Sequence, residues 1–287
     1  MINFPSKDRY GWEDLLAIVR DLRSPEGCPW DRVQTHGSIR RNFLEETYEA
    51  LDAIDRDDAE NMREELGDVL LQVAFHVRME EERGRFDMSD VVDALVKKLL
   101  YRHPHVFGGA ETAKDGEQAL ANWEARKRAE KGFESVADAV ESVPHTLPAL
   151  WRAEKIQKKA AKAGFEWENA FHALEKAEEE LGELREAVEK GGAADAPHGV
   201  REEAGDVLFM TVCVLRMYGI DPEDALHRTC DKFERRFRGV EELADKPLSE
   251  YSEAELTELW KEAKRKLSET KSGRVSTENA ENKREDS

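Results

Sequence analysis

Apolar residues recur along most of this chain at intervals of three and four, the period of a helix buried along one side. Trp12, Leu15, Leu16, Val19 and Leu22 set the first such stripe and predict a helix from Trp12 to Leu22. Pro25, Gly27 and Pro29 interrupt it with a loop. A second helix is predicted from Ser38 to Ile54. A third starts at the Asp57-Asp58 cap and runs through the His76 region, and a fourth runs from Ser89-Asp90 through Leu99 and ends before Arg102-His103-Pro104-His105. Gly108-Gly109 opens a polar connector, followed by an amphipathic piece with Trp123 and Lys127. The stretch from Ser135 to Pro148, bracketed by Pro144 and Pro148, reads as a linker. Helices are predicted again from Trp151 to Ala163, from Ala170 to Lys190, around Glu203–Asp206 and from Pro222, with loops at Gly164–Glu168 and Gly191–Gly199. No run alternates as a strand would, so the class is all-α.

The two halves carry the same polar signature on these helices. Glu45-Glu46-Thr47-Tyr48-Glu49 and Glu65-Leu66-Gly67-Asp68 return as Glu179-Glu180-Leu181-Gly182-Glu183 and Glu203-Ala204-Gly205-Asp206. Matching positions keep a nearly constant offset, the mark of an internal duplication. Residues three apart share a helix face, so Glu46 with Glu49, Glu65 with Asp68, and their counterparts form paired carboxylates on neighbouring helices. After each Asp the sequence turns almost wholly apolar, Val69 to Phe75 and Val207 to Leu215, which predicts that the acidic face points inward. Buried carboxylates need a cation. The alternative makes Asp68 and Asp206 helix N-caps at breaks marked by Gly67 and Gly205.

Composition narrows the chemistry. The chain has 287 residues, 37% charged, with a formal net charge of −19, which disfavours nucleic acid and anionic membrane as partners. Cys28, Cys213 and Cys230 are scattered and form no Cys-x-x-Cys, so zinc or a disulfide framework is not expected and a reducing cytoplasm fits. The N-terminus lacks the apolar core of a signal peptide, and no apolar run is long enough to span a bilayer. Neither half places a histidine three residues after these acids, as a ferritin-like di-iron site would. An all-oxygen site suits Mg²⁺, with Mn²⁺ as a substitute, completed by substrate phosphates. Glu45 and Glu179, beside the ligands, are candidates for the base that aligns the attacking water. Cations for the phosphates would come from Lys155, Lys158, Lys232, Arg235, Arg236 and Lys264 in the second half, and from Arg23, Lys98, Arg102 and Lys127 in the first. Trp30, Trp167, Trp123 and Trp260 are candidate walls for a base, although a core role for any one of them is at least as common.

The acidic motifs, together with Gly27-Cys28-Pro29-Trp30-Asp31, Arg102-His103-Pro104-His105-Val106-Phe107 and Gly164-Phe165-Glu166-Trp167, resemble the MazG family of all-α nucleoside triphosphate pyrophosphohydrolases. The resemblance covers both halves and implies a helical-bundle fold, which with the pattern above gives two tandem four-helix-bundle-like domains, at 1–134 and 149–267, joined by the linker 135–148; the tail at 268–287, polar and without apolar periodicity, reads as disordered. It implies a homodimer and Mg²⁺-dependent attack of water on the α-phosphorus of a broad range of nucleoside triphosphates, giving monophosphate and pyrophosphate. Glu180, Glu183, Glu203 and Asp206 occupy the family's metal-ligand positions, and Glu46, Glu49, Glu65 and Asp68 occupy them in the first half. The richer Lys/Arg complement points to the second half as the catalytic one. A non-catalytic helical scaffold, a narrow-specificity dNTP pyrophosphatase and a phosphatase releasing inorganic phosphate are the alternatives.

Overall fold

The computed structural model describes residues 2–108, 115–133, 135–191 and 193–268. Among these residues all regular structure is helical, and the chain divides into two compact units, Met1–Gly132 and Phe133–Ser287. Most of the expected tail, from 269 on, and Gly109 of the polar connector lie outside the described residues.

In the first unit α1 (Trp12–Arg23), the short α2 (Pro29–Arg32), α3 (His36–Asp55), α4 (Ala59–Glu81), α5 (Met88–Arg102), the short α6 (Pro104–Phe107) and α7 (Gly116–Lys131) follow in order. Thr35 caps α3 and Asp58 caps α4, each side chain accepting from a backbone N–H of the first turn. The tight turn between them makes α3 and α4 a helical hairpin, and α1 lies on α4. Val19, Ile39, Ala74, Phe75 and Met79 form the core of this unit, with Leu15, Leu16, Leu22 and Leu71 packed around it. Each large side chain there contributes about 1.5–3 kcal/mol by burial.

The second unit opens with α8 (Val136–Glu141) and α9 (Ala149–Ala161). The stretch read as a linker therefore holds a helix: Ser135 and Asp138 form a capping box, α8 packs on α9, and Val143 is buried. Next come α10 (Ala170–Lys190), α11 (Val200–Met217), α12 (Pro222–Leu243) and α13 (253–268). The dominant pair is α10 with α11, repeating α3 with α4, around Ala173, Met210 and Cys213.

Gly67 and Gly205 lie inside α4 and α11 rather than at breaks, which removes the N-cap reading of Asp68 and Asp206. The expected deep packing of the acidic face is only partly met. Leu66, Leu70 and Tyr48 in the first unit, and Leu181, Leu208 and Phe209 in the second, stay exposed beside it. No described helix is long and apolar enough to cross a membrane, and the three cysteines are free.

Candidate metal centre

The helical hairpins bring the predicted carboxylates together, once in each unit. Glu46 and Glu49 of α3 meet Glu65 of α4, with one oxygen from each lying within 4.8 Å of the others. Asp68 completes the group through its repulsion of Glu46 and Glu65. In the second unit Glu180 of α10 meets Glu203 and Asp206 of α11 at the same spacing. Glu183 joins through a side-chain hydrogen bond shared with Glu203. Glu203 and Glu180 are 3% and 8% exposed, so two of these acids are buried.

The electrostatics follow from this crowding. Partial burial pushes the Glu46 carboxyl above its ordinary value, and repulsion from Asp68, Glu49 and Glu65 adds to the rise. Glu65 is raised by burial and then by Glu49 and Asp68. Glu183 rises through burial and the charges of Glu180 and Glu203, and Asp206 through burial, Glu180, Glu203 and Glu202.

The sequence reading missed a cation at the second quartet. Lys176 lies one turn before Glu180 on α10, and its ammonium donates to Glu180 at 2.8 Å and to Glu179 at 2.9 Å. These bonds hold its proton more firmly than in an ordinary lysine. The i, i+4 spacing to Glu180 was the available signal. The first unit has Asn42 at that place, and there Glu45 pairs instead with Arg41 at 2.7 Å. Both base candidates thus lie at the exposed rim, each held by a cation of its own helix.

The predicted phosphate ligands divide into groups. Arg23 is spent on structure: it makes a two-pronged pair with Glu82 at 3.0 and 2.9 Å and donates to the Asp31 and Gln34 carbonyls. It is buried because α1, α2 and α4 close around it, so its assignment to phosphate is corrected. Arg216, a residue the sequence reading passed over, plays the like part in the second unit with Glu166, at 2.7 Å through both nitrogens. Arg102 pairs with Glu130 at 2.8 Å and stands 5.3 Å from the centre of the Trp123 ring, which Lys127 approaches to 4.7 Å. Arg236 repeats this over Trp260 at 5.9 Å, and Phe233 packs against the same indole. These cations and tryptophans form duplicated cation–π clusters on α5/α7 and α12/α13. Lys98, Lys155, Lys232, Arg235 and Lys264 are exposed, and Lys158 is paired with Glu154 at 2.6 Å. Trp30 and Trp167 project from their loops, 62% and 40% exposed. Two surface concavities lie along α12 and α13 and include none of the quartet residues in their lining. A site made by two helices and open on one side needs a further surface, or the substrate itself, to close it.

Comparison with known proteins agrees with this geometry. The family model described as the MazG nucleotide pyrophosphohydrolase domain matches twice, at residues 34–107 and 169–240, which are the two carboxylate-bearing segments. A Thermotoga maritima protein named nucleoside triphosphate pyrophosphohydrolase/pyrophosphatase MazG is 43% identical over 256 residues, 88% of this chain and 95% of that protein. The nucleoside triphosphate pyrophosphohydrolase of Escherichia coli K12 is 42% identical over 255 residues, covering 88% and 96%. A Bacillus subtilis protein named uncharacterized protein YabN is 47% identical over 253 residues, covering 86% of this chain and 50% of YabN.

Proposed function

The chain belongs to the MazG nucleotide pyrophosphohydrolase family, and from that membership we propose that it hydrolyses nucleoside triphosphates to monophosphate and pyrophosphate with Mg²⁺, accepting a broad range of bases. The observation that carries the reading is the duplicated carboxylate quartet, four hard oxygen donors on two paired helices, with Glu180 and Glu203 buried in the second unit. All-oxygen donors fit Mg²⁺ or Mn²⁺ and give no reason to expect a softer ion at the quartet. When bound, the ion neutralises phosphate charge and acidifies water.

The protein groups then have distinct tasks. Glu180, Glu183, Glu203 and Asp206 hold the ion, as Glu46, Glu49, Glu65 and Asp68 would in the first unit. Glu179, anchored by Lys176, is placed to accept a proton from the attacking water, and Glu45 is its counterpart. Lys176 offers an ammonium at the quartet's edge for an α- or β-phosphate oxygen. Lys232, Arg235 and Lys264 are free to move to the distal phosphates. The second unit is the working half in this reading, because Lys176 has no equivalent in the first. The exposed apolar residues flanking both quartets support a homodimer that covers them. The free thiols support a reducing cytoplasm.

The test is product identity with a panel of NTPs and dNTPs, for the native protein and for Asp68→Ala and Asp206→Ala. Monophosphate plus pyrophosphate, lost on chelation and in Asp206→Ala, supports the reading. Release of inorganic phosphate, or turnover unchanged in Asp206→Ala but abolished in Asp68→Ala, sinks the reaction or the choice of half respectively. No turnover with any triphosphate would leave a helical scaffold.

A further inference from the structure

His198 belongs to a cluster that the quartet does not use. It is five residues before Glu203, in the loop that leads into α11, and its Nδ1 lies 3.5 Å from a Glu203 oxygen. One ligand atom each from His198, Glu202 and Glu203 fall within 4.8 Å of one another. The His198 backbone N–H donates to Glu202 at 2.8 Å and so orients that carboxylate toward the same place. Glu203 is 3% exposed and also lies against Glu180, Glu183 and Asp206 of the quartet, so this buried carboxylate has an imidazole on one side and acids on the other.

The loop is built to present this side chain. Gly199 is buried, and a Cβ there would meet the Ala196 carbonyl at 2.6 Å, so the chain folds tightly back at that point. Asp195 pairs with Arg201 across the same turn, and the Arg201 N–H reaches the Ala194 carbonyl. His198 itself adopts a left-handed backbone, φ 53°. The duplicate lacks the feature: five residues before Glu65 stands Glu60, an exposed residue of α4.

We propose that His198, Glu202 and Glu203 form a second cation position in the second unit, one that takes a divalent transition-metal ion in preference to Mg²⁺ and shares Glu203 with the quartet. Imidazole nitrogen is a good ligand for first-row transition ions and a poor one for Mg²⁺, which keeps to oxygen and water. A carboxylate has two oxygens, so Glu203 can serve both positions, as bridging acids do in two-metal hydrolytic sites. The inference rests on the reading of the quartet as a divalent-metal site.

Mn²⁺ is the probe, because its unpaired electrons report a nitrogen ligand directly. The full chain carrying Asp68→Asn, which weakens the first unit's site, is titrated with Mn²⁺ by electron paramagnetic resonance. Spin-echo spectra are recorded for that protein and for added His198→Asn or Asp206→Asn. Asparagine tolerates the left-handed backbone, so the loop should survive the His198 change. The expected result is ¹⁴N modulation that disappears in His198→Asn, with Mn²⁺ affinity at one position falling about tenfold or more and Mg²⁺ affinity changing less than twofold. Absence of ¹⁴N modulation in the parent, or its persistence in His198→Asn, overturns the inference. Asp206→Asn separates the two readings: if it leaves all bound Mn²⁺ in place, the quartet reading fails, whereas the nitrogen signal stands or falls with His198.

Discussion

Lys176 and Glu180 lie one helical turn apart on α10, and the ammonium sits 2.8 Å from the carboxylate that the quartet offers to a metal. A positive side chain therefore competes with the metal for the same oxygen. The ammonium is open to solvent, which screens the contact and keeps the competition modest. Lys176→Met should accordingly tighten Mg²⁺ binding to the nucleotide-free protein by roughly fivefold. The same change should lower kcat/KM for a triphosphate, since the phosphate loses a cation. Calorimetric Mg²⁺ titration and steady-state rates check the pair. Weaker Mg²⁺ binding in the variant would mean that Lys176 organises the carboxylates instead of competing for them.

Metal removal should expose the repulsion stored in the quartets. Glu46 and Asp206 have raised carboxyl values, so the folded state holds protons there more readily than the unfolded chain does. By linkage, these groups make the metal-free fold more stable as pH falls through their raised values, and less stable above them. Glu46→Gln and Asp206→Asn are therefore expected to raise Tm in chelator at pH 7. Each should also shrink the upward shift in Tm that Mg²⁺ gives the native protein. A fall in Tm in chelator for both variants would show that the carboxylates are held by partners other than one another.

Much of this was legible because charge and periodicity coincide on two helices. The pairs Glu46/Glu49 and Glu65/Asp68 follow from the three-residue spacing alone, and duplication made the reading firm. Gly67 and Gly205 left a helix break open as the alternative, and the helices run on through them because a glycine costs a helix only about 1 kcal/mol and the apolar runs beyond them outweigh that. Arg23 was misread. Its partner Glu82 is far away in sequence, on the other side of the α3/α4 hairpin, and no local pattern joins them. The i+4 spacing joins Trp123 to Lys127, whereas the cation described over Trp260 is Arg236 and not the expected Lys264; Arg102 and Arg236 come from other helices, which needs the packing of α5 on α7 and of α12 beside α13. Lys176 was readable and overlooked; His198 gains its meaning only from the fold of the loop before α11.

Gly67 and Gly205 also carry an expectation of their own. Each stands mid-helix beside a quartet Asp, and a Cβ at either would meet nothing within 4 Å. Packing within this chain therefore gives no reason for their lack of a side chain. If the space is kept for something that approaches from outside, substrate phosphate above all, Gly205→Ala should stabilise the protein by about 0.5–1 kcal/mol while raising KM for the triphosphate. Urea denaturation gives the first quantity and steady-state kinetics the second. Full activity with higher stability would leave Gly205 without a role at the site.

His36 and His76 supply a pH dependence in the first unit that is separate from the metal site. Their rings stack with centroids 5.0 Å apart, and Nδ1 faces Nδ1 at 2.7 Å, so one nitrogen must donate and the other accept. His36 also pairs through Nε2 with Glu80. Arg85 and Arg83 bind the same carboxylate, and hydrogen bonding, first from Arg85, holds it at about 2, so Glu80 remains charged well into acid. Phe43 closes over His76 at 5.6 Å. Burial pushes the His76 value down, and the adjacent His36 adds to the shift. A histidine depressed in the fold contributes stability that is whole above its ordinary value near 6.5 and is lost as pH falls from there through the lowered value. The native protein should therefore lose stability relative to His76→Gln as pH falls from about 7 through the lowered His76 value, with the difference levelling off below it. Glu46 and Glu65 titrate alike in both proteins and drop out of the comparison. His36→Gln should reduce the slope without removing it, because burial is the larger cause. Parallel stability curves for the native protein and His76→Gln across this range would show that His76 takes up its proton in the fold without cost.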